Sequence, residues 1–244
     1  MGKVILVASG KGGTGKTMFS VNLGATLAKM GRSVVMLDMD MGLRNLDLYF
    51  GLENNVVHDI HDVLTGMCKI KEALIKDKNF NGLYLLASSP ERSDGTLTPL
   101  HMKVLCEKLR ADYDYVIVDA PSGIDDGMVL AAAGVDRAVI VCTPDYSAIR
   151  DADNLDKELV KLGITDRVLV VNNVDAELMA EGYVPRLKDI TGMLKPELVG
   201  VIQSDQNIRV STNMGIPIVI KDGTYISENF RNIAARIESE EKDD

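Results

Sequence analysis

The chain has 244 residues, 46% of them hydrophobic and 26% charged, with a formal net charge of -9. That length suffices for one α/β domain with a sizeable core, and the acidic balance argues against a sequence-independent grip on DNA, which takes a basic face. Cys68, Cys106 and Cys142 are far apart, without a C-x-x-C pair, and read as reduced buried thiols rather than as disulfide, zinc or iron–sulfur ligands. The chain enters a strand almost at once and holds no apolar run near the length of a membrane span. The expectation is a cytoplasmic protein, a single domain over residues 1–244, with residues 237–244 as a flexible acidic tail.

Residues 3–8 are apolar and β-branched enough for a buried strand, and residues 17–30 have helical spacing. Between them stands Gly10-Lys11-Gly12-Gly13-Thr14-Gly15-Lys16-Thr17, which satisfies G-x-x-x-x-G-K-[ST], the phosphate loop, in its required strand-loop-helix setting. Glycines let successive N–H groups point at phosphates, and the helix N-terminus adds partial positive charge. Lys16 can then reach the β- and γ-phosphates and the Thr17 hydroxyl can ligate Mg²⁺, with Met18 next in line. Lys11 is a second cation on the loop's outer side, placed to serve a phosphate of a neighbouring molecule. The run Lys11-Gly12-Gly13-Thr14-Gly15-Lys16-Thr17 is similar to the K-G-G-x-G-K-[ST] signature of the ParA/MinD group, the deviant Walker A ATPases. That resemblance implies a P-loop NTPase with a mostly parallel twisted sheet, helices on both faces, and ATP and Mg²⁺ as ligands. It also implies an ATP-dependent homodimer in which Lys11 crosses a two-fold interface to the partner's ATP.

Residues 33–37 read as a second buried strand closing on Asp38-Met39-Asp40, acids placed over the nucleotide from the strand's C-terminal edge. The stretch from Asp38 to Asp47 resembles the D-x-D-x-G-L-R-N-L-D switch of MinD proteins, which implies that Asp40 orients the attacking water and stands near the metal; a helix N-cap is the plainer role. His58 and His61, with Asp59 and Asp62 beside them, are read as exposed polar positions of a short amphipathic helix, since no third metal ligand stands out. Residues 83–89 form a strand, and after a loop residues 97–110 form a helix. Tyr115-Val116-Ile117-Val118-Asp119 is the Walker B pattern, which puts the Asp119 carboxylate beside the Mg²⁺ shell, through water. Asp119 to Gly123 resembles the family's second switch, D-x-P-x-G, implying that the Gly123 backbone meets the γ-phosphate.

Residues 139–144 are a further buried strand, and the helix that follows begins Ser147-Ala148-Ile149-Arg150-Asp151-Ala152-Asp153, similar to the S-x-x-R-D-A-D run that contributes dimer and regulator contacts in MinD proteins. Residues 167–171 lead to Asn172, which by resemblance reads adenine. Residues 198–202 lead to Gln203-Ser204-Asp205 where the family has P-E-D; Gln203 and Asp205 are candidates for the adenine edge. Residues 213–219 fit the family's approach to a last strand. The final helix, from about Ser227, carries Ile226, Phe230, Ile233 and Ile237 on one narrow stripe read as core packing.

The resemblance implies an ATP-dependent dimerisation switch in division-septum placement, with MinC- and MinE-like regulators as partners. A ParA-like or flagellar-site positioning ATPase is the alternative, and a metabolic kinase a third reading. One departure stands out. The family appends a basic amphipathic helix for the membrane, whereas residues 238–244 hold five acids against one lysine. Direct membrane binding is therefore expected to be weak, with localisation at the inner face of the cell membrane through a partner.

Overall fold

The computed structural model describes residues 1–90 and 96–239. Eight strands form one sheet: β1 (Lys3–Ala8), β2 (Val34–Asp38), β3 (Ile75–Lys76), β4 (Leu83–Leu86), β5 (Tyr115–Asp119), β6 (Arg137–Cys142), β7 (Asp166–Val174) and β8 (Glu197–Gln203). Their order is β3-β4-β2-β5-β1-β6-β7-β8, with β3 antiparallel to β4 and every other pair parallel. The connecting helices are α1 (Lys16–Lys29), α2 (Leu46–Phe50), α3 (Ile60–Thr65), α4 (Ile70–Ala73), α5 (Pro99–Asp112), α6 (Asp126–Ala131), α7 (Tyr146–Lys161), α8 (Ala176–Glu181), α9 (Leu187–Met193), α10 (Gln206–Asn213) and α11 (Tyr225–Ser239).

The strands are apolar without alternation because helices cover both faces of the sheet. In β1, Val4, Leu6 and Ala8 join Leu105, Met128 and Leu155 on one side, while Ile5 and Val7 join Phe19, Leu23 and Phe230 on the other. On that second side α1 and α11 lie together, with the Phe19 and Phe230 ring centroids 5.9 Å apart.

The α/β sheet expected from the sequence is present, as is the core stripe of α11, and two local expectations change. Residues 213–219 do not lead into a last strand: Ile218–Ile220 is a single 3-10 turn against α1, in which Val219 is buried and its amide donates to Asn22 Oδ1. The apolar stripe of α11 is core, since Phe230, Ile233 and Ile237 are fully buried. Residues 237–239, assigned to the tail from sequence, belong to this helix, and Glu238 pairs with Arg32 at 2.8 Å. The rest of that tail, residues 240–244, lies outside the described residues, as does part of the loop expected before α5.

Candidate active site

The phosphate loop, residues 10–17, joins the C-terminal end of β1 to the first turn of α1. Two glycines are required by close approach. A Cβ on Gly10 would stand 2.2 Å from the Asp151 carbonyl oxygen of α7, and one on Gly15, where φ is 85°, would stand 2.2 Å from Asn172 Nδ2. Gly13, by contrast, faces open space, and Gly12 meets only Ser122 Oγ at 3.7 Å. Thr14 Oγ1 is buried in the loop without a hydrogen-bond partner. An orphaned hydroxyl and open glycines at a helix N-terminus fit a phosphate ligand.

Beneath the loop, three side chains of α1 converge on Asp119 at the end of β5. Lys16 Nζ lies 3.0 Å from Oδ1, Thr17 Oγ1 donates to Oδ2 at 2.7 Å, and Ser20 Oγ donates to Oδ1 at 2.6 Å. Lys16 is 6% and Asp119 1% exposed, so the pair is desolvated and correspondingly sensitive to loss of either member. The register explains the meeting: β5 runs beside β1, with Val7 opposite Asp119, so the end of one strand supplies the loop and the end of its neighbour the carboxylate.

On the far side of β5, Asp38 stands opposite Asp119 at the end of β2. The sequence placed Asp38 over the nucleotide without giving it a role of its own, and in the structure it organises the segment after β2. Its carboxylate accepts the amides of Asp40 at 3.0 Å, Asn45 at 3.1 Å and Leu46 at 3.0 Å, which fixes the entry to α2. Burial, followed by the charge of Asp119, pushes its pKa up to about 7. The same cause raises the pKa of half-buried Asp40, where burial and Asp119 outweigh Lys16. Only the strand order reveals that Asp38 stands beside Asp119, because nothing in the linear pattern places β2 next to β5. Thr17, Asp119 and Asp40 form the oxygen donor set chosen for Mg²⁺, and hard oxygen ligands are what that ion takes.

The segment after β5 rests on the loop: Gly123, with φ of 97°, donates its amide to the Ser9 carbonyl at 3.0 Å, and Ser9 Oγ donates to the Lys11 carbonyl. The Lys11 side chain turns toward α7, where Nζ lies 3.0 Å from Asp145 Oδ1 and 2.9 Å from Ser147 Oγ. Asp145 caps α7 through the Ala148 amide. Burial works against its charge, yet hydrogen bonds from Thr143, Ser147, Ala148 and Lys11 hold its carboxyl well below the usual range.

On the β7–β8 side, a cleft of about 390 Å³ gathers Gly13, Gly15, Met18, Asn172, Gln203 and Asp205. Tyr49 and Arg209 also line it, and neither was chosen from sequence. Asn172 Nδ2 donates to the Thr14 carbonyl at 2.7 Å, tying β7 to the loop. Asp205 caps α10 through the Asn207 amide and accepts the Tyr225 hydroxyl at 2.7 Å. Those bonds lower the Asp205 pKa, and that of Tyr225 is pushed up to about 12 by burial and by Asp205.

Residues 2–163 match the model of a family described as AAA domain. The chain is 41% identical over 239 residues to the septum site-determining protein MinD of Bacillus subtilis, covering 97% of this chain and 89% of that one. It belongs to the MinD family. The MinD of Thermotoga maritima is 39% identical, with 98% of this chain and 89% of that protein aligned. Among solved structures, the MinC:MinD complex of Aquifex aeolicus superposes with a TM-score of 0.90 at 36% identity, covering 97% of this chain and 96% of that one. MinD of Pyrococcus horikoshii complexed with Mg-ADP gives 0.87 at 26% identity, covering 99% and 98%. The MinD-like P-loop ATPase expected from the loop signature and the switch segment is thus borne out.

Proposed function

We propose that this chain is an ATP-driven dimerisation switch that hydrolyses ATP to ADP and phosphate in division-site selection. The observation that carries the reading is the buried convergence of Lys16, Thr17 and Ser20 on Asp119 beneath an open phosphate loop. Lys16 Nζ would exchange Asp119 for the β- and γ-phosphate oxygens. Thr17, Asp40 and, through water, Asp119 would hold Mg²⁺, which supplies charge neutralisation on the phosphates. Asp40 then orients water in line with the γ-phosphate, and its raised pKa suits a group that handles a proton. Gly123 would pass its amide from Ser9 to the γ-phosphate and so couple the second switch to nucleotide state. Met18, Asn172, Gln203 and Asp205 flank the base in the β7–β8 cleft.

Lys11 serves the partner's nucleotide across a two-fold axis, in which case Asp145 and Ser147 set its starting position. A homodimer that forms with ATP and dissolves with ADP would hand its state to MinC-like and MinE-like regulators; the Aquifex aeolicus relative is seen with MinC. No helix among the described residues is long and apolar enough to cross a membrane. The buried stripe of α11 is unavailable for insertion, which supports recruitment to the membrane's inner face through a partner. Sedimentation with ATP and with ADP, alongside phosphate release with Mg²⁺ and with a chelator, tests the reading. An ATP-specific doubling of mass and Mg²⁺-dependent turnover are expected. Turnover that survives chelation, or a mass indifferent to the nucleotide, would remove it.

A further inference from the structure

Away from the nucleotide site, α3 and the turn after it bring together three side chains that the linear spacing keeps apart. His58 and Asp62 lie one helical turn apart across the start of α3, with His58 Nδ1 3.1 Å from Asp62 Oδ2. The chain then leaves α3 through Gly66, where φ is 79°, and doubles back so that the amides of Met67 and Cys68 both donate to the Asp62 carbonyl, at 2.8 Å and 3.3 Å. That fold-back delivers the Cys68 thiol to the His58–Asp62 pair, and a ligand atom from each residue lies within 4.8 Å of the other two. His61, the second histidine of the sequence motif, is not part of the group. Cys68 is half-buried, unlike the buried Cys106 and Cys142, and so remains open to an entering ion.

We propose that His58, Asp62 and Cys68 bind one Zn²⁺, with water completing a four-coordinate site. The donor set selects the metal: an imidazole nitrogen, a carboxylate oxygen and a thiolate suit a borderline-soft ion, whereas Mg²⁺ takes oxygen donors. The spacing agrees. Bonds of about 2.0–2.3 Å in a tetrahedral site separate ligand atoms by about 3.3–3.6 Å. The nitrogen–oxygen pair already stands near that separation, and rotation about the Cys68 Cα–Cβ bond closes the rest. Charge agrees as well, because binding sends the thiol proton to solvent and leaves one thiolate and one carboxylate to balance the two charges of the ion. Asp59 and Glu72 add negative charge around the thiol. The capping of α3 holds the ligands in place: Asp59 Oδ1 accepts the amides of His61 and Asp62, and the Asp59 amide donates to Asp62 Oδ2. The ion would clip α3 to the turn before α4, beside a groove that Cys68 shares with Leu100, His101 and Val104 of α5.

The experiment uses the reduced full chain with excess Mg²⁺ and ADP to fill the oxygen ligands at the phosphate loop, and Co²⁺ as a coloured substitute for Zn²⁺. A thiolate-to-cobalt charge-transfer band should saturate at one ion per chain, disappear on adding Zn²⁺, and be absent in Cys68→Ser. In competition with a chromophoric chelator, His58→Ala should bind Zn²⁺ at least about tenfold more weakly than the parent. Circular dichroism and ADP affinity, both expected to be unchanged, report that the variants fold. A parent chain without the band, a band that persists in Cys68→Ser, or equal Zn²⁺ affinity in folded His58→Ala would each overturn the site. The first of these needs no variant.

Discussion

The two flanks of the phosphate loop are built on opposite principles. Toward β5 and β2, Asp38, Asp119 and Lys16 are buried and held by hydrogen bonds before any ligand arrives. Toward β7 and β8, the cleft is lined by the strand residues Asn172 and Gln203 and by Asp205 at the start of α10, and its hydrogen bonds tie β7 to the phosphate loop and α10 to α11. The difference suits the roles proposed for the two flanks. Charge developing on a transferred phosphoryl group is best met by groups already oriented in low dielectric, where reorganisation costs least. A purine base asks for shape and a few polar contacts, which an open cleft supplies. Substitutions on the first flank should therefore be severe and coupled, and those on the second mild.

The largest effect is expected for Lys16→Ala. It leaves Asp119 buried without its cation, a loss on the order of 3–5 kcal/mol in stability, and removes the cation for the phosphates. Urea unfolding and calorimetric ATP binding should both register it, and a variant with unaltered turnover would sink the role given to Lys16. Next is Asp40→Ala, which should keep ATP binding within a few-fold while phosphate release falls about 10²-fold or more. Because the Asp40 carbonyl, not its carboxylate, takes the amides of Leu43 and Arg44, the local turn should survive. A variant that no longer binds ATP would make Asp40 structural instead.

Lys11→Ala should bind ATP yet stay monomeric in light scattering, since the partner's γ-phosphate loses its second cation. An ATP-dependent dimer of normal strength in that variant would exclude the crossing lysine. The buried flank should also show itself in pH. Asp38 titrates near 7 when folded against 3.8 when free, so the folded state holds its proton more tightly and stability falls as pH rises between those values. The slope from this group approaches about 1.4 kcal/mol per pH unit. Urea midpoints of the parent should thus decline from pH 5 to 7 more steeply than those of Asp38→Ala; parallel profiles would mean that Asp38 is already ionised in the fold. The smallest effect is expected at the membrane. Each basic side chain near an anionic surface is worth about 1 kcal/mol, and of the two arginines of α11, Arg236 already donates to the Val199 carbonyl. Co-sedimentation with anionic vesicles should stay weak with ATP, and Arg231→Glu should change it little. Strong ATP-dependent binding abolished by that substitution would make α11 an anchor.

Much was legible in the sequence by itself. The phosphate loop is local: its glycines, lysine and threonine are consecutive, and the strand and helix beside it declare themselves by periodicity, so Gly10 to Thr17 could be assigned without any tertiary information. Asp119 was legible for the same reason, as the end of an uninterrupted apolar run. The core stripe of α11 was equally plain in its spacing.

Only the tertiary structure decided what depends on strand order and chain reversal. Asp38 becomes part of the site because β2 pairs with β5 in a register that sets it opposite Asp119, and a long-range pairing leaves no trace in local pattern. Residues 213–219 fit by resemblance the approach to a strand, yet they end in a turn that buries Val219 against α1. Cys68 meets His58 and Asp62 only because Gly66 reverses the chain after α3. Local chemistry fixes which residues can act; the sheet's crossovers and the reversals at chain turns fix which of them meet, because contacts between distant segments are set by the packing of whole elements and not by any residue's own neighbours.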